Sequence, residues 1–484
     1  MLLKVNEFEK KPLCIDCDGT LIATDLLYEA FFLLLKQNPL GLFYLPFWLL
    51  KGKVYLKERL SELVTIPWET LPYRKDVIDL INLACSNERE VVLVTASPLI
   101  WAHGIAKYLN CFDKVFATEN GINLSGINKA KLLVNNYGQY GFDYAGDSHV
   151  DCHVWQQSAS IILVSSNLTL YNRLSKKFNK KIIVISPIKS SLFDYIRALR
   201  VHQWLKNLLV IVPLLAAHKA GSIENLVQII YAFFAFSTCA SAVYLLNDLL
   251  DLDSDRQHVR KKLRPFASGA IPLKHGMILI PVLLAISIAL SLLLPNLFLI
   301  ILIAYFLMTL AYSIRLKKQV IVDVMILAGL YTMRIIAGAA AIQVKPSFWL
   351  LAFSIFIFLS LALIKRYSEL LITLAANKKE PAGRGYSVDD LPVLMSIGVS
   401  AGVCSVLILA LYFNSPETYI LYKNSIWLWL MPPILLYWTS RMWMKAHRGQ
   451  VDDDPIIFAA KDWQSLVVLF LTGCIFILAI MSNV

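Results

Sequence analysis

Charged residues are scarce in this sequence of 484 residues, of which Asp, Glu, Lys and Arg together make up 17%. Soluble globular proteins contain roughly 25% of these residues, so this composition excludes a protein that faces water along its whole length. Hydrophobic residues reach 57%, and the chain is too long for one ordinary core. We therefore expect at least two domains, one of which faces lipid.

Cysteines are few, and the eight present show no spacing typical of a disulfide scaffold. Cys14 and Cys17 form one C-x-x-C pair without a second one, and we interpret them as small apolar residues beside Asp16. Residues 1–11 are charged and lack a long apolar core. We therefore expect no secretory signal, and we expect the first domain to stay in the cytoplasm.

Long apolar runs are absent from residues 1–187 and frequent in residues 188–484, so we predict a domain boundary between them. In the first part, short apolar runs alternate with helical and polar segments, which is typical of an α/β domain with a doubly wound parallel sheet. The predicted strands are residues 13–15, 91–95, 114–117, 161–164 and 182–185. Residues 31–50 are rich in leucine and aromatic residues but contain Pro39 and Pro46, which favours a cap segment on the membrane surface over a spanning helix.

About nine apolar runs in the second domain are long enough to cross a bilayer as helices. Their centres lie near Val210, Phe234, Leu284, Ala304, Leu330, Ile355, Val403, Leu435 and Phe470. The longer connections are rich in Lys and Arg, whereas the alternate ones are short and poor in charge. Because cytoplasmic loops carry an excess of Lys and Arg, we expect these loops and the first domain on the cytoplasmic side of a bacterial-type inner (plasma) membrane. The same pattern accounts for the net charge of +12, so we expect no nucleic-acid partner.

Acidic and basic residues follow the predicted strands of the first domain. In chain order they are Asp16, Asp18, Thr95, Lys129, Asp147 and Asp151. The first two belong to the run Asp-Cys-Asp-Gly-Thr, directly after an apolar strand. Parallel α/β sheets bind their ligands at the carboxyl ends of strands, so these residues predict a site at that edge.

This order of four motifs resembles that of the haloacid-dehalogenase-superfamily phosphatases, over residues 10–165. The resemblance implies a Rossmann-like α/β fold with a helical cap, and a phosphatase that depends on Mg²⁺. By position, Asp16 would be the nucleophile that forms an aspartyl-phosphate, and Asp18 would be the general acid/base. Asp16 and Asp18 would bind Mg²⁺ together with Asp147 and Asp151.

The same resemblance implies that Thr95 and Lys129 hold the phosphoryl oxygens, with Ser97 and Lys131 as alternatives. A carboxylate that attacks an anionic phosphate needs a divalent cation and a lysine to offset the repulsion between the two anions. The residue types therefore fit the chemistry.

A stripe of carboxylates closes the second predicted span. Asp248, Asp251 and Asp255 stand at i, i+3 and i+7, so a helix places them on one face. Such carboxylates repel one another without a cation between them, and their position at a membrane boundary indicates function. Mg²⁺ that bridges to a diphosphate fits this pattern, with Asp248 and Asp251 as catalytic candidates. The candidates for binding the same phosphates are Asn247, Arg256, Lys261, Lys262 and Arg264.

This stretch, continued through Arg264-Pro265 and Ser268-Gly269, resembles the first aspartate-rich motif of the UbiA superfamily, over residues 190–484. The resemblance implies an all-α membrane domain of about nine transmembrane helices. It also implies that the aspartates bind the Mg²⁺-diphosphate of an activated donor, whose diphosphate then leaves.

The usual second UbiA motif brings another aspartate pair, whereas here the run from Tyr312 to Lys317 is followed only by Asp323. This departure, the run of residues 200–207 and the aspartates of residues 452–454 resemble the decaprenyl-phosphate phosphoribosyltransferase branch. In that branch the donor is phosphoribosyl pyrophosphate and the acceptor is a polyprenyl phosphate. The candidates for binding these substrates are Lys206, Asn207, Tyr312, Lys317, Arg334, Lys365 and Arg366. Arg334 lies inside a predicted span, where an arginine is expected to have a partner or a ligand.

The two resemblances together predict a bifunctional membrane enzyme, and oligomers of the chain are compatible with it. The membrane half would make a polyprenyl-phosphoryl 5-phosphoribose, and the phosphatase would remove the 5-phosphate. The alternative is an aromatic prenyltransferase with a polyprenyl diphosphate donor. A transporter or scaffold without turnover is disfavoured by the metal-spaced aspartates.

Overall fold

The computed structural model describes residues 11–119, 121–186, 190–258, 260–381, 384–422, 424–451 and 454–481. Asp452 and Asp453, two of the three aspartates in residues 452–454 that carry the resemblance, lie outside the described residues. The chain forms two compact units. The first consists of Met1–Leu199 and Tyr244–Ile280, and the second of Arg200–Val243 and Pro281–Val484. The first unit therefore includes the segment that follows the second predicted span.

A sheet of six strands, in which every neighbouring pair is parallel, forms the centre of the first unit. The strands are β1 (Leu13–Ile15), β2 (Val91–Pro98), β3 (Lys114–Thr118), β4 (Asp143–Gly146), β5 (Ile161–Val164) and β6 (Ile182–Ile185), and their order is β3-β2-β1-β4-β5-β6. The strand order reverses between β1 and β4, which is where doubly wound sheets bind ligands. The five predicted strands are confirmed, and β4 was missed.

Helices cover both faces of this sheet. They are α1 (Leu26–Gln37), α2 (Leu45–Leu50), α3 (Lys53–Leu63), α4 (Lys75–Ser86), α5 (Leu99–Leu109), α6 (Gly126–Tyr137), α7 (Cys152–Gln157) and α8 (Leu168–Lys177). Helix α9 (Leu192–Ala198) comes after β6 in the chain. Leu13 and Ile15 belong to one buried cluster and Cys14 belongs to another, as the alternation of side chains along a strand requires. Cys14 and Cys17 are fully buried, which confirms that they are apolar core residues.

Helices α1, α2 and α3 lie between β1 and β2, and the predicted cap segment, residues 31–50, covers the second half of α1 and all of α2. Their inner side chains, such as Leu33 and Leu60, join the core of the sheet. A 3₁₀ helix (Pro39–Tyr44) and α2 instead expose apolar side chains. The most exposed are Leu40 (69%), Phe43 (73%), Phe47 (66%) and Leu50 (86%). The segment is helical and too short to span a bilayer, and its contact with a membrane surface stays a prediction.

Seven helices in the described part of the chain are long and apolar enough to cross a membrane. They are α11 (Ile223–Leu250), α13 (Leu273–Ser291), α14 (Asn296–Ile314), α15 (Val322–Ala341), α16 (Phe348–Ala375), α17 (Leu391–Phe413) and α21 (Trp463–Met481). Five shorter helices accompany them. These are α10 (Val212–Ala216), α12 (Leu252–Gln257), α18 (Pro416–Leu421), α19 (Met431–His447) and α20 (Pro455–Lys461).

Two of the nine predicted spans are not helices of spanning length. The run around Val210 is a 3₁₀ helix (Val201–Ile211) that continues into the five residues of α10. The run around Leu435 is α19, which has 17 residues and begins after a separate 3₁₀ helix, Ser425–Leu430. Proline lies near the start of α10 and of α19, where its missing N–H costs no hydrogen bond within the helix, so both helices can begin there.

Candidate active sites

Three carboxylates meet at the carboxyl ends of β1 and β4, which are neighbours in the sheet. Asp16 follows β1, and Asp147 and Asp151 follow β4; one oxygen from each lies within 4.8 Å of the others. Gly19 has φ +80°, and a Cβ atom there would lie 2.4 Å from Asp147 Oδ2, so this close approach requires glycine. The structure thus brings together three of the four carboxylates predicted to bind a metal.

Lys129 reaches this cluster from α6. Its Nζ atom donates to Asp16 Oδ1 at 2.7 Å and to the hydroxyl oxygen of Tyr144 at 2.9 Å, and the side chain is 4% exposed. The alternative, Lys131, is exposed. The geometry therefore favours Lys129 as the lysine of this site.

The electrostatics of the cluster favour a bound cation. Burial, opposed by Lys129, raises the pKa of Asp16 to about 7. Burial together with the charges of Asp16 and Asp151 raises the pKa of Asp147 to about 8. A divalent cation would offset this crowding of buried carboxylates, and an all-oxygen donor set is the one that Mg²⁺ prefers.

Asp18 is not part of the three-carboxylate cluster. Its Oδ1 atom accepts from the backbone N–H of Leu26 at 2.9 Å, and its Oδ2 atom accepts from the Ser97 hydroxyl at 2.8 Å. Thr95 is fully buried and accepts from the backbone N–H of Ser97 at 3.1 Å. Both candidates for the phosphoryl-binding hydroxyl thus lie at the end of β2, and only Ser97 contacts the predicted acid/base.

Two cations that the sequence reasoning missed approach the same region. Lys57 of α3 donates to the Ser97 hydroxyl at 3.3 Å and lies 3.8 Å from Asp18 Oδ2. Arg74 donates through Nε to the carbonyl oxygen of Gly19 at 3.0 Å. Neither Lys57 nor Arg74 belongs to a sequence motif. Each lies far along the chain from the residues it contacts, so only the fold brings it to the site.

A second carboxylate cluster lies in the same unit, where α11 ends and α12 begins. Arg264 donates through Nη1 to Asp248 Oδ1 at 3.0 Å and to Asp255 Oδ2 at 2.6 Å. Both aspartates are only 2% exposed. Burial raises the pKa of Asp255, and Arg264 opposes that shift. The guanidinium therefore lies between two of the three carboxylates that are predicted to share Mg²⁺, Asp248 and Asp255.

The remaining predicted residues of this stretch differ in their burial and in their partners. Asp251 marks the break between α11 and α12, and it is partly buried, as is Asn247. Lys261 and Lys262 are exposed in the 3₁₀ helix Lys261–Leu263. Arg256 is directed to Glu29, so the structure does not place it with Asp248 and Asp255.

Polar side chains are also buried in the second unit. Lys206 forms an ion pair with Asp454, and Asn207 accepts through Oδ1 from Arg334 Nε at 2.8 Å. Arg334 also donates to the hydroxyl oxygen of Tyr305 at 2.9 Å. The expectation that Arg334 has a partner inside the membrane part is confirmed. Burial would raise the pKa of Asp454, but nearby lysines outweigh burial and lower it.

The lone aspartate at the place of the second UbiA motif is fully buried. Asp323 forms an ion pair with Arg366 and accepts from the hydroxyl of Tyr386. The nearby candidates Tyr312 and Lys317 both accept from Arg384, through the hydroxyl and the carbonyl oxygen respectively. Asp323 and Arg366 are thus engaged with each other rather than open to a ligand.

Comparisons with known proteins agree with the membrane part. The model of the UbiA prenyltransferase family matches residues 208–466. The uncharacterized protein y4nM of Sinorhizobium fredii is 35% identical over 482 residues, which are 99% of this chain and 93% of that protein. A decaprenyl-phosphate phosphoribosyltransferase of Mycobacterium tuberculosis is 37% identical over 193 residues, which are 39% of this chain and 64% of that enzyme.

The solved structure of a UbiA homolog from Archaeoglobus fulgidus, bound to GPP and Mg²⁺, is 16% identical to this chain. The match covers 58% of this chain and 99% of that one, with a TM-score of 0.45. The family match spans more than half of the sequence, and it includes all seven helices of spanning length in the described residues, the last of them in part. The chain is therefore an integral membrane protein that belongs to the UbiA prenyltransferase family.

Proposed function

We propose that the membrane part transfers 5-phosphoribose from phosphoribosyl pyrophosphate to a polyprenyl phosphate, and that the N-terminal part removes the 5-phosphate of the product. The observation that carries the transferase proposal is the pair of buried carboxylates, Asp248 and Asp255, with Arg264 between them. A diphosphate that arrives with its Mg²⁺ meets two carboxylates for the metal and a guanidinium for the phosphate oxygens.

The chemistry at this site is a displacement at the anomeric carbon of the ribose. A phosphate oxygen of the lipid forms the new bond, the bond to pyrophosphate breaks, and its electron pair leaves with pyrophosphate. Mg²⁺ bound there supplies positive charge for the leaving pyrophosphate. Asp248 and Asp255 hold that cation, and Arg264 donates hydrogen bonds to the developing anion.

Two observations favour a phosphoribosyl donor over a prenyl diphosphate. Where the second UbiA motif would bring an aspartate pair, the described residues offer Asp323 alone. Asp323 is buried in an ion pair with Arg366. The second observation is sequence identity: a decaprenyl-phosphate phosphoribosyltransferase is 37% identical to this chain over 193 residues. Both features set the chain apart from prenyltransferases that use two aspartate-rich motifs.

The acceptor is an anionic lipid phosphate, which needs cations but no strong general base. The second unit supplies such cations in Lys206, Lys365 and Arg334. Lys206 forms an ion pair with Asp454, and the charges of Lys206 and Lys365 both lower the pKa of Asp454. We assign the lipid phosphate to these lysines.

The N-terminal proposal rests on the cluster of Asp16, Asp147, Asp151 and Lys129. Asp16 attacks the phosphorus of the 5-phosphate, the ribose oxygen leaves with its electron pair, and water then releases phosphate from the aspartyl-phosphate. Lys129 offsets the repulsion between Asp16 and the incoming anion. We place residues 1–187 and the end of α11, which carries Asp248, on the cytoplasmic side of the membrane. A product that stays in the bilayer then meets the tethered phosphatase at a raised effective concentration.

Pyrophosphate release by the full-length protein in detergent tests the transferase proposal. We expect release only when Mg²⁺, phosphoribosyl pyrophosphate and a polyprenyl phosphate are all present, because the bond to pyrophosphate breaks only when the lipid phosphate attacks. Omission of each component and addition of EDTA are the controls. The protein would instead be an aromatic prenyltransferase if it turned over a polyprenyl diphosphate with an aromatic acceptor and showed no activity with phosphoribosyl pyrophosphate.

Lys57→Met is expected to raise the KM for a phosphate ester about tenfold with a smaller change in kcat, because the variant loses a charged hydrogen-bond donor of the cap. The measurement is hydrolysis of p-nitrophenyl phosphate by the full-length protein. Lys53→Met is the matched control, since Lys53 is exposed at the start of the same helix. Equal effects of the two substitutions would show that Lys57 has no special role.

A further inference from the structure

A buried ion pair joins α1 of the N-terminal part to α12 of the aspartate-rich stretch, within the first unit. Arg256 donates through Nη2 to Glu29 Oε1 at 2.6 Å and through Nη1 to Glu29 Oε2 at 3.1 Å. The two side chains are 6% and 2% exposed. Bidentate arginine–carboxylate pairs fix orientation as well as distance.

The polar atoms around this pair are also engaged. The Thr24 hydroxyl donates to Glu29 Oε1 at 2.8 Å, and Arg256 Nε donates to the carbonyl oxygen of Ala267 at 3.1 Å. Burying two charges costs desolvation energy that their attraction offsets only with such additional hydrogen bonds. A pair built in this way contributes orientation more than stability.

A close backbone approach also joins the chain just before α1 to the chain that follows α12. Gly269 has φ +74°, and a Cβ atom there would lie 2.7 Å from the Cβ of Ala23. The ion pair and this close approach therefore join the two stretches of chain at two places.

Each end of the ion pair lies next to one of the candidate active sites. Helix α1 begins at Leu26, whose N–H binds Asp18, and Glu29 follows within the same turn. Arg256 is adjacent in sequence to Asp255, which binds Arg264. The two neighbours point about 100° apart on a helix of 3.6 residues per turn, so one can bind Glu29 while the other faces the carboxylate cluster.

We propose that Glu29 and Arg256 are positioning residues that hold Asp255 in place for the transferase and make that site depend on the N-terminal domain. This inference rests on the proposed function, in which Asp255 shares the donor's metal ion. Helix α12 has six residues, which is too short to be stable without tertiary contacts. Arg256 anchors it, and this role replaces the phosphate contact predicted for Arg256 from the sequence.

The test is Mn²⁺ binding to the full-length protein, followed by electron paramagnetic resonance with Mn²⁺ in place of Mg²⁺. Asp248→Asn and Asp147→Asn assign the two classes of bound ion to the two sites. We expect Glu29→Gln to raise the dissociation constant of the Asp248 class about tenfold, which is in the usual range for coupling between sites, and to leave the Asp147 class within twofold. The double variant Glu29→Gln/Arg256→Met leaves no unpaired buried charge, and it is expected to fold and to show the same selective weakening.

Asp143→Asn is the matched control, because it breaks another buried pair of 2.6 Å, with Arg89, in the same unit. Asp143→Asn should leave Mn²⁺ binding in the Asp248 class unchanged. If it weakened that binding as much as Glu29→Gln does, the effect would be general destabilisation, and the proposal would be overturned. An unchanged Asp248 class in Glu29→Gln would overturn it as well. If Asp248→Asn removes neither class of bound Mn²⁺, the proposed donor site is wrong. Amide hydrogen exchange then tests separately whether Glu29 holds α12 in place. Faster exchange confined to residues 252–257 in Glu29→Gln supports the link, and unchanged exchange refutes it.

Discussion

Asp16→Asn is expected to make the full-length protein accumulate a lipid that still carries the 5-phosphate, while pyrophosphate release continues at the wild-type rate. The substitution removes the only carboxylate assigned as nucleophile, so dephosphorylation should fall about 10³-fold or more. The transferase cluster of Asp248 and Asp255 is untouched. Mass spectrometry of the lipid products, with phosphoribosyl pyrophosphate and a polyprenyl phosphate as substrates, measures both steps in one reaction.

Asp79→Asn is the matched control, because Asp79 is exposed on α4 and plays no part in the site. It should give the dephosphorylated lipid in wild-type amounts. Recovery of that same product from Asp16→Asn would refute the proposed coupling of the two activities. Loss of pyrophosphate release in Asp16→Asn would show instead that the substitution disturbs the whole unit.

Asp248→Asn is expected to reduce pyrophosphate release about 10³-fold or more and to leave hydrolysis of p-nitrophenyl phosphate unchanged. The amide removes one of the two charges that bind the donor's metal ion, and the loss falls on the step in which negative charge develops on pyrophosphate. The measurement is the rate of pyrophosphate release at saturating substrates and varied Mg²⁺.

The control for this variant is Asp389→Asn, which changes an exposed aspartate outside both sites in the same way. A variant Asp248→Asn that kept more than about a tenth of the activity would be incompatible with a catalytic metal ion held by Asp248, because metal-ion catalysis contributes several kcal/mol. Restoration of activity by high Mg²⁺ would place the defect in metal affinity.

The sequence predicted the sheet well because five of its strands contain short runs of three or more apolar residues. Strand β4 escaped because an aspartate and a glycine flank its two apolar residues, Tyr144 and Ala145. Its burial comes from the neighbouring strands β1 and β5, which no local pattern records. The two runs around Val210 and Leu435 were overcounted as spans, because hydropathy registers composition and not the prolines that limit helix length.

The candidate sites were predictable where their residues follow one another in motifs. The residues predicted in this way are Asp16, Asp147, Asp151, Asp248, Asp255 and Arg264. The choice between Lys129 and Lys131 required the fold, because the two lysines differ only in which face of α6 carries them. Lys57 and Glu29 required it too, since their partners Asp18 and Arg256 are distant in sequence.

The segment Pro39–Leu50 also limits how the N-terminal part can be handled. A fragment that ended near residue 186 would carry Leu40, Phe43, Phe47 and Leu50 into water, each of them more than half exposed. Contiguous apolar surface of this kind promotes self-association and aggregation. The fragment would therefore need detergent to stay in solution.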